Sequence, residues 1–330
     1  MGVLVRRRRV GWFGFACFAV TAPSVLAQTT GATAHPCDVQ TAATKLVCRA
    51  AYDAVASVVP VGALAVGGGN PYLGSAAGGQ GFGDIGITFR GNFVRFILPA
   101  TSYAGTGDTV AAARQLPIVV PTMDIRFGLM KKALPIGAAT VDFLGSIGGI
   151  PVNATEYIRF SPDVRKLAGV VLGFGYGLRI GIAPTGPMPT VSLNIGRHDL
   201  PKFTVGDIAA GSNFAYTVSI SAINARLLLG KRMKGFEFTA GGGADLMTGG
   251  YSIVYRNMKT SQLAPRADSS LSAMRFLTVA NGSFIFGKVA RLTFEGGFQI
   301  GKDEKLPTIF EANNTKSGRF FGGVGLGFKL

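Results

Sequence analysis

Few residues in this chain have the makings of a catalytic centre. It holds two histidines, His35 and His198, and the second lies in Arg197-His198-Asp199, where a carboxylate beside an imidazole has the parts of an Asp–His dyad for proton transfer. A hydrolase would add a serine on a sharp strand-to-helix turn, yet no Gly-x-Ser-x-Gly elbow accompanies the pair. The segment carrying the dyad reads as a loop, where a lone histidine is ordinarily solvated, so the chain is not read as an enzyme. No group of His, Cys, Asp or Glu has metal-ligand spacing. The glycine-rich stretches lack the strand–loop–helix context of a phosphate or dinucleotide loop. Neither metal nor cofactor is expected.

Cysteine offers the other chemistry. Cys17 lies in an N-terminal segment discussed below, which leaves Cys37 and Cys48. An oxidising compartment favours pairing them; two free buried thiols are the alternative. Val39, Ala42, Ala43, Leu46, Val47, Ala50, Ala51, Ala54 and Val55 have helical spacing. Eleven residues along one helix would separate the two Cα atoms by about 16 Å, whereas a disulfide needs less than about 7 Å. A Cys37–Cys48 bridge therefore requires Cys37 to fold back beside a helix that starts near Ala43.

The charged residues are placed by a different element. In Arg319-Phe320-Phe321-Gly322-Gly323-Val324-Gly325-Leu326-Gly327-Phe328-Lys329-Leu330, one face of a strand carries Phe320, Val324, Leu326, Phe328 and Leu330; the other carries Arg319, Gly323, Gly325, Gly327 and Lys329. The alternation recurs. Ile85, Ile87, Phe89 and Phe93 oppose Thr88, Arg90 and Asn92; Met123, Ile125, Phe127 and Leu129 oppose Asp124 and Arg126. Val170, Leu172, Phe174, Tyr176, Leu178 and Ile180 oppose Gly173, Gly175, Gly177 and Arg179. Phe236 and Phe238 oppose Glu237, and Leu292, Phe294, Phe298 and Ile300 oppose Arg291, Glu295 and Gln299. Apolar outside and polar inside is the pattern of an antiparallel transmembrane β-barrel. Its lumen-facing candidates are Arg90, Asn92, Asp124, Arg126, Arg179, Glu237, Arg291, Glu295, Gln299 and Arg319. In 214–231, Phe214, Tyr216, Val218 and Ile220 have the opposite parity to Leu227 and Leu229, which predicts a bulge near Ala222 to Ala225.

Composition agrees with a barrel. The chain is 48% hydrophobic, with 48 Gly and 24 Phe among 330 residues, and mean hydropathy is +0.35. After the N-terminal segment no unbroken apolar stretch reaches the length of a spanning helix, so the apolar residues must lie in alternation or in a core. Tight turns are expected at Lys231–Gly235 and Gly287–Lys288. Longer excursions are expected at Thr101–Gln115, Pro151–Lys166, Pro184–Pro189, Arg197–Gly211, Asn257–Ser270 and Lys302–Lys316. At about 20–25 residues per strand and connection, residues 84–330 accommodate about 10–12 strands, with a count of about 14 left open.

The first residues, Arg6-Arg7-Arg8-Arg9, an apolar run from Val10 and Val25-Leu26-Ala27, read as a secretory signal cut after Ala27, and Cys17 leaves with it. The expected destination is the outer membrane of a Gram-negative-type bacterium. The chain carries +16 and stays basic without those four arginines. Its basic residues are dispersed and it is exported, so nucleic acid is not an expected partner. Basic rims meeting lipid phosphates and a lumen preferring anions both remain open.

Residues 58–83 are rich in Gly, Ala and Ser, with Asn70-Pro71, and carry no charge between Asp53 and Asp84. This segment, the export signal and the Phe/Gly-rich strands together resemble the long-chain fatty-acid outer-membrane transporter superfamily. Gly325-x-x-Phe328-x-Leu330 resembles the C-terminal assembly signal of outer-membrane barrels, with Leu where that signal usually ends in Phe or Trp. The resemblance implies an N-terminal lumen plug, passage of hydrophobic ligands and insertion by the barrel-assembly machinery. The expected organisation is a signal over 1–27, a helical and Gly/Ala-rich leader over 28–83, and a barrel over 84–330. The expected function is passing or binding a small apolar, amphipathic or anionic solute among outer-membrane lipids. A structural or assembly barrel without transport is the alternative, its lumen closed by Arg–Glu pairs.

Overall fold

The computed structural model describes residues 37, 38, 40–107, 109–110, 112–151, 158–160, 166–167, 170–287, 289–302, 310 and 318–330. The signal and its cleavage site lie outside these residues. One helix, α1 (Ala42–Gly67), precedes twelve strands: β1 (Ile85–Pro99), β2 (Ala112–Leu134), β3 (Gly137–Pro151), β4 (Ile158–Phe160), β5 (Lys166–Leu167), β6 (Val170–Pro184), β7 (Thr190–Val205), β8 (Phe214–Met233), β9 (Phe236–Tyr255), β10 (Ala267–Phe286), β11 (Ala290–Lys302) and β12 (Arg319–Lys329).

Ten of these strands close a barrel. Each long strand pairs antiparallel with the next, β6 joins β3 to β7, and β12 returns to β1 over Gly86↔Lys329 to Phe93↔Gly322. Closure leaves no edge along these ladders, and period-2 alternation then separates inside from outside. Phe89, Phe143, Phe174, Ile180, Leu227 and Phe294 face outward and stay exposed. The short turns 135–136, 185–189, 234–235 and 287–289 gather at one end of the barrel, and the longer connections at the other.

The barrel is full. α1 is buried on every side from Ala50 to Gly67, which is how a helix apolar all round behaves when it is enclosed. By length and composition it would qualify as a membrane span, yet its apolar window is wholly buried among the strands. It enters at the long-connection end, where Thr44 Oγ1 meets Asn257, and descends past Gly249, which faces Val59, and Ile220, which faces Gly62. The helix reaches Gly67, further than the small-residue composition of 58–67 suggests, and runs through Pro60. A mid-helix proline gives up one hydrogen bond; enclosure by apolar strands keeps the segment helical regardless.

Three sequence expectations are corrected. There is no bulge at Ala222–Ala225: both ladders of β8 run in unbroken register there. Phe214, Tyr216, Val218 and Ile220 point inward, onto α1, while Leu227 and Leu229 point outward. The chain keeps its phase and the lumen changes chemistry. Residues 197–205 are strand rather than loop, because outward Ile195, Arg197 and Asp199 continue to alternate with inward Asn194, Gly196, His198 and Leu200. Arg197 and Asp199 pair with each other at 3.0 Å, and a register shift between Leu200 and Phe203 takes up Pro201. The connection at 185–189 belongs with the short turns.

Cys37 and Cys48 form a disulfide with Cα atoms 5.6 Å apart, so Cys37 folds back against the first turns of α1. Mass spectrometry of the unreduced, denatured protein should find one Cys37–Cys48-linked peptide pair and no alkylated thiol at either position; alkylation of both would refute the bridge.

Candidate functional site: a lumen in two halves

The inward side chains divide the lumen. Towards the long-connection end β1 presents Val94, Phe96 and Leu98, and β8 presents Phe214, Tyr216 and Val218, all packed with α1 in one apolar cluster. Towards the short-turn end the same strands present Thr88, Arg90 and Asn92, and Asn224 and Arg226. The change coincides with the end of the helix. A helix satisfies its own backbone; the irregular segment 68–84 that follows cannot.

The wall satisfies it. Arginines donate to its carbonyls: Arg90 Nη1 to Asn70 O (2.8 Å), Arg226 Nε to Gly69 O (3.0 Å), Arg291 Nη1 to Gly74 O (3.1 Å) and Arg179 Nη1 to Ala77 O (3.3 Å). Carboxylates accept from its N–H groups: Glu295 from Gly69 (3.1 Å) and Asn70 (2.9 Å), and Asp142 from Gly79 (3.0 Å). Asn92 Nδ2 donates to Ala65 O at 3.1 Å, and Ser75 Oγ donates to Glu237 at 2.6 Å. Arg126 and Arg179 lie against the Tyr72 ring, 5.5 and 5.4 Å from its centre.

The charges are also paired with one another, within the wall and, at Asp84, with the segment. Arg90 bridges Asp124 at 2.9 Å, Arg126 bridges Asp84 at 3.0 Å and Asp142 at 3.9 Å, Arg226 bridges Asp245, and Arg291 bridges Glu237 at 3.8 Å. Gln299 Nε2 donates to Asp245 at 2.9 Å. Aspartate supplies more of this pairing than the Arg–Glu closure expected from sequence. Burial pushes the Asp84 carboxyl up, but the Gln80 N–H bond and the Arg126 charge outweigh it and hold it below the usual carboxylate range.

Of the sequence-derived lumen candidates, Arg90, Asn92, Asp124, Arg126, Arg179, Glu237, Glu295 and Gln299 are buried inside; Arg291 and Arg319 are half-buried. Asn70, Asp84, Asp142, Asn194, His198, Asn224, Arg226 and Asp245 belong to the same network and were missed. Asn224 and Arg226 share the parity of Phe214 and Ile220, a signal that a presumed bulge concealed. Among the described residues no group of three or more His, Cys, Asp or Glu has the arrangement to hold a metal ion.

Between β6 and β7 the wall is interrupted. The β6–β7 ladder runs only from Ile182↔Val191 to Phe174↔Asp199. Beyond it β6 pairs with β5 and β7 pairs with β4, both drawn from the connection between β3 and β6. Behind this split lies an apolar cavity of about 20 Å³, lined by Ala65 of α1, Phe96, Val120, Ile150, Phe160 and Phe203 among others.

No protein-family model matches the sequence. No curated protein matches it either. Solved structures similar to the chain include the outer membrane protease OmpT from Escherichia coli, at 11% identity and a TM-score of 0.35 over 75% of this chain and 95% of that one. The translocator domain of the autotransporter NalP from Neisseria meningitidis matches at 11% identity and 0.35 over 76% and 90%. The CymD monoaromatic hydrocarbon channel matches at 10% identity and 0.29 over 83% and 98%. The barrel itself is established by its own ladders.

Replacing Glu295 with Ala leaves the Gly69 and Asn70 N–H groups buried without an acceptor. It should lower stability in urea by about 1–3 kcal/mol for each orphaned group. Stability equal to the parent protein would mean that the carboxylate does not hold the segment.

Proposed function

We propose that the protein is an integral outer-membrane barrel, exported by a signal removed after Ala27, whose lumen is plugged by residues 42–84 and which binds a small apolar or amphipathic solute at the β6–β7 split. The exposed apolar exterior supports the membrane placement, since a soluble barrel would not leave Phe89, Phe174, Ile180 and Leu227 uncovered together. With short turns facing the periplasm and long connections facing outward, α1 begins on the cell-surface side and 68–84 lies on the periplasmic side.

The observation that carries the solute reading is the split itself. β4 is three residues long and closes the gap with only the Ile158–Phe160 ladder against Phe203–Val205. The cavity behind it is lined by apolar groups, and at about 20 Å³ it has room for little more than one methyl group in this state. A solute therefore enters by displacing β4, the least strongly paired element in contact with it. The resemblance to long-chain fatty-acid transporters suggests the same solute class, and the exposed Lys131, Lys132, Arg232 and Lys234 at the short-turn end suit lipid phosphates. A structural barrel without transport is the second reading, favoured by the ion pairs that close the periplasmic half, Arg90–Asp124 and Arg226–Asp245.

A diazirine-bearing long-chain alcohol, photolysed with the protein in lipid vesicles, should cross-link to β4 and to Leu200 or Phe203, and Leu200→Trp should remove that labelling by filling the cavity. Labelling confined to outward residues such as Phe174 and Ile195 would favour the structural barrel.

A further inference from the structure

His198, Asn224 and Ser146 belong to no part of the plug's backbone pairing, and their arrangement is that of a reactive centre. Ser146 of β3, Gly175 of β6 and His198 of β7 are direct neighbours in register, and all three point inward. Gly175 has no side chain, and the space a Cβ would occupy is taken by Ser146 Oγ from one side and His198 Nε2 and Cδ2 from the other. The hydroxyl and the imidazole nitrogen thus converge above one glycine.

The protonation of the imidazole follows from what stands behind it. Asp245 is ion-paired to Arg226 and therefore acts only as an acceptor. It accepts a hydrogen bond from Asn224 Nδ2 at 2.5 Å, which turns Asn224 Oδ1 towards His198 Nδ1 at 2.7 Å. Nδ1 must then carry a proton, and in the neutral imidazole Nε2, which lies beside Gly175, carries the lone pair. Ser146 Oγ is buried and bonded to nothing, beside a cavity of about 10 Å³ that it shares with His198, Gly175, Gly177, Gly196 and Pro71. That is space for about one water molecule. Asn70, the chain neighbour of Pro71, likewise has a buried Nδ2 without a partner, a donor of the kind a developing oxyanion needs. The row ends in a hydroxyl without a partner, across Gly175 from the imidazole.

We propose that Ser146 is a nucleophile for carboxylic esters of amphipathic lipids, with His198 as its general base and Asn224 as a positioning residue. The proposal rests on the solute reading only for where the acyl chain lies. Directly above the Ser146–Gly175–His198 row come Gly148, Gly173 and Leu200, and above these the apolar cavity at the split. Ser146 Oγ attacks the ester carbonyl carbon and its proton passes to His198 Nε2. The bond from acyl carbon to alkoxy oxygen then breaks, and His198 returns the proton to the departing alcohol. One water, activated by the same nitrogen, cleaves the acyl-serine to the free acid and restores the hydroxyl.

The wild-type protein, folded in detergent micelles, is treated with diisopropyl fluorophosphate and, separately, with a long-chain alkyl fluorophosphonate, and adducts are mapped by mass spectrometry. The expected result is one adduct, on Ser146, absent in Ser146→Ala and formed about 100-fold more slowly or less in His198→Asn, the loss typical of a missing general base. Heat-modifiable gel mobility checks that each variant is folded. No adduct on Ser146 of the wild-type protein with either reagent would overturn the proposal, as would labelling at an unchanged rate in folded His198→Asn. Neither result would bear on photolabelling of the apolar cavity, so the two readings fail separately.

Discussion

Most of the charge in the lower half of this barrel answers to one requirement: irregular backbone has been placed where water cannot satisfy it. A buried amide or carbonyl without a partner costs about 1–3 kcal/mol, and residues 68–84 bring a long series of both into the lumen. The wall meets them by type. Arg90, Arg226, Arg291 and Arg179 face carbonyls; Glu295 and Asp142 face N–H groups. Reversing any of these would set like dipoles against each other, so the inward charges follow the local direction of the plug's peptide groups.

The upper half obeys the same rule with the opposite outcome. α1 bonds its own backbone, so its surroundings can be apolar, and they are: Phe214, Tyr216, Val218 and Phe96 would be costly in a water-filled lumen and are covered by Val47, Val55, Val59 and their neighbours. Helix above and irregular chain below thus explain why a single strand such as β8 is apolar inside over one half and polar over the other. The plug and the wall are complementary from Ala50 to Gly79, and neither face is intelligible alone.

This complementarity separates what was legible in the sequence from what was not. The outward parity of Phe174, Leu178 and Ile180 was legible because lipid-facing positions alternate with glycine and arginine in the same strand. The fold-back of Cys37 was legible from helix rise alone. The inward Phe214–Ile220 run looks like a phase change in sequence, because a lumen expected to be polar makes an apolar inward face look outward. Arg197-His198-Asp199 reads as a loop in sequence, and the mutual ion pair of Arg197 and Asp199, which lets them face outward, is visible only in three dimensions. The convergence of Ser146 on His198 depends on the register of β3, β6 and β7 across an intervening glycine, and local sequence spacing carries no trace of it.

The central claim is that the wall's charged side chains hold the plug's backbone, and amide hydrogen exchange of the folded protein in lipid reads this directly. The N–H groups of Gly69, Asn70 and Gly79, which belong to no helix or strand, should exchange about as slowly as ladder amides in β1 and β11. Exchange of these three at the rate of exposed loop amides, with the ladders still protected, would contradict the account.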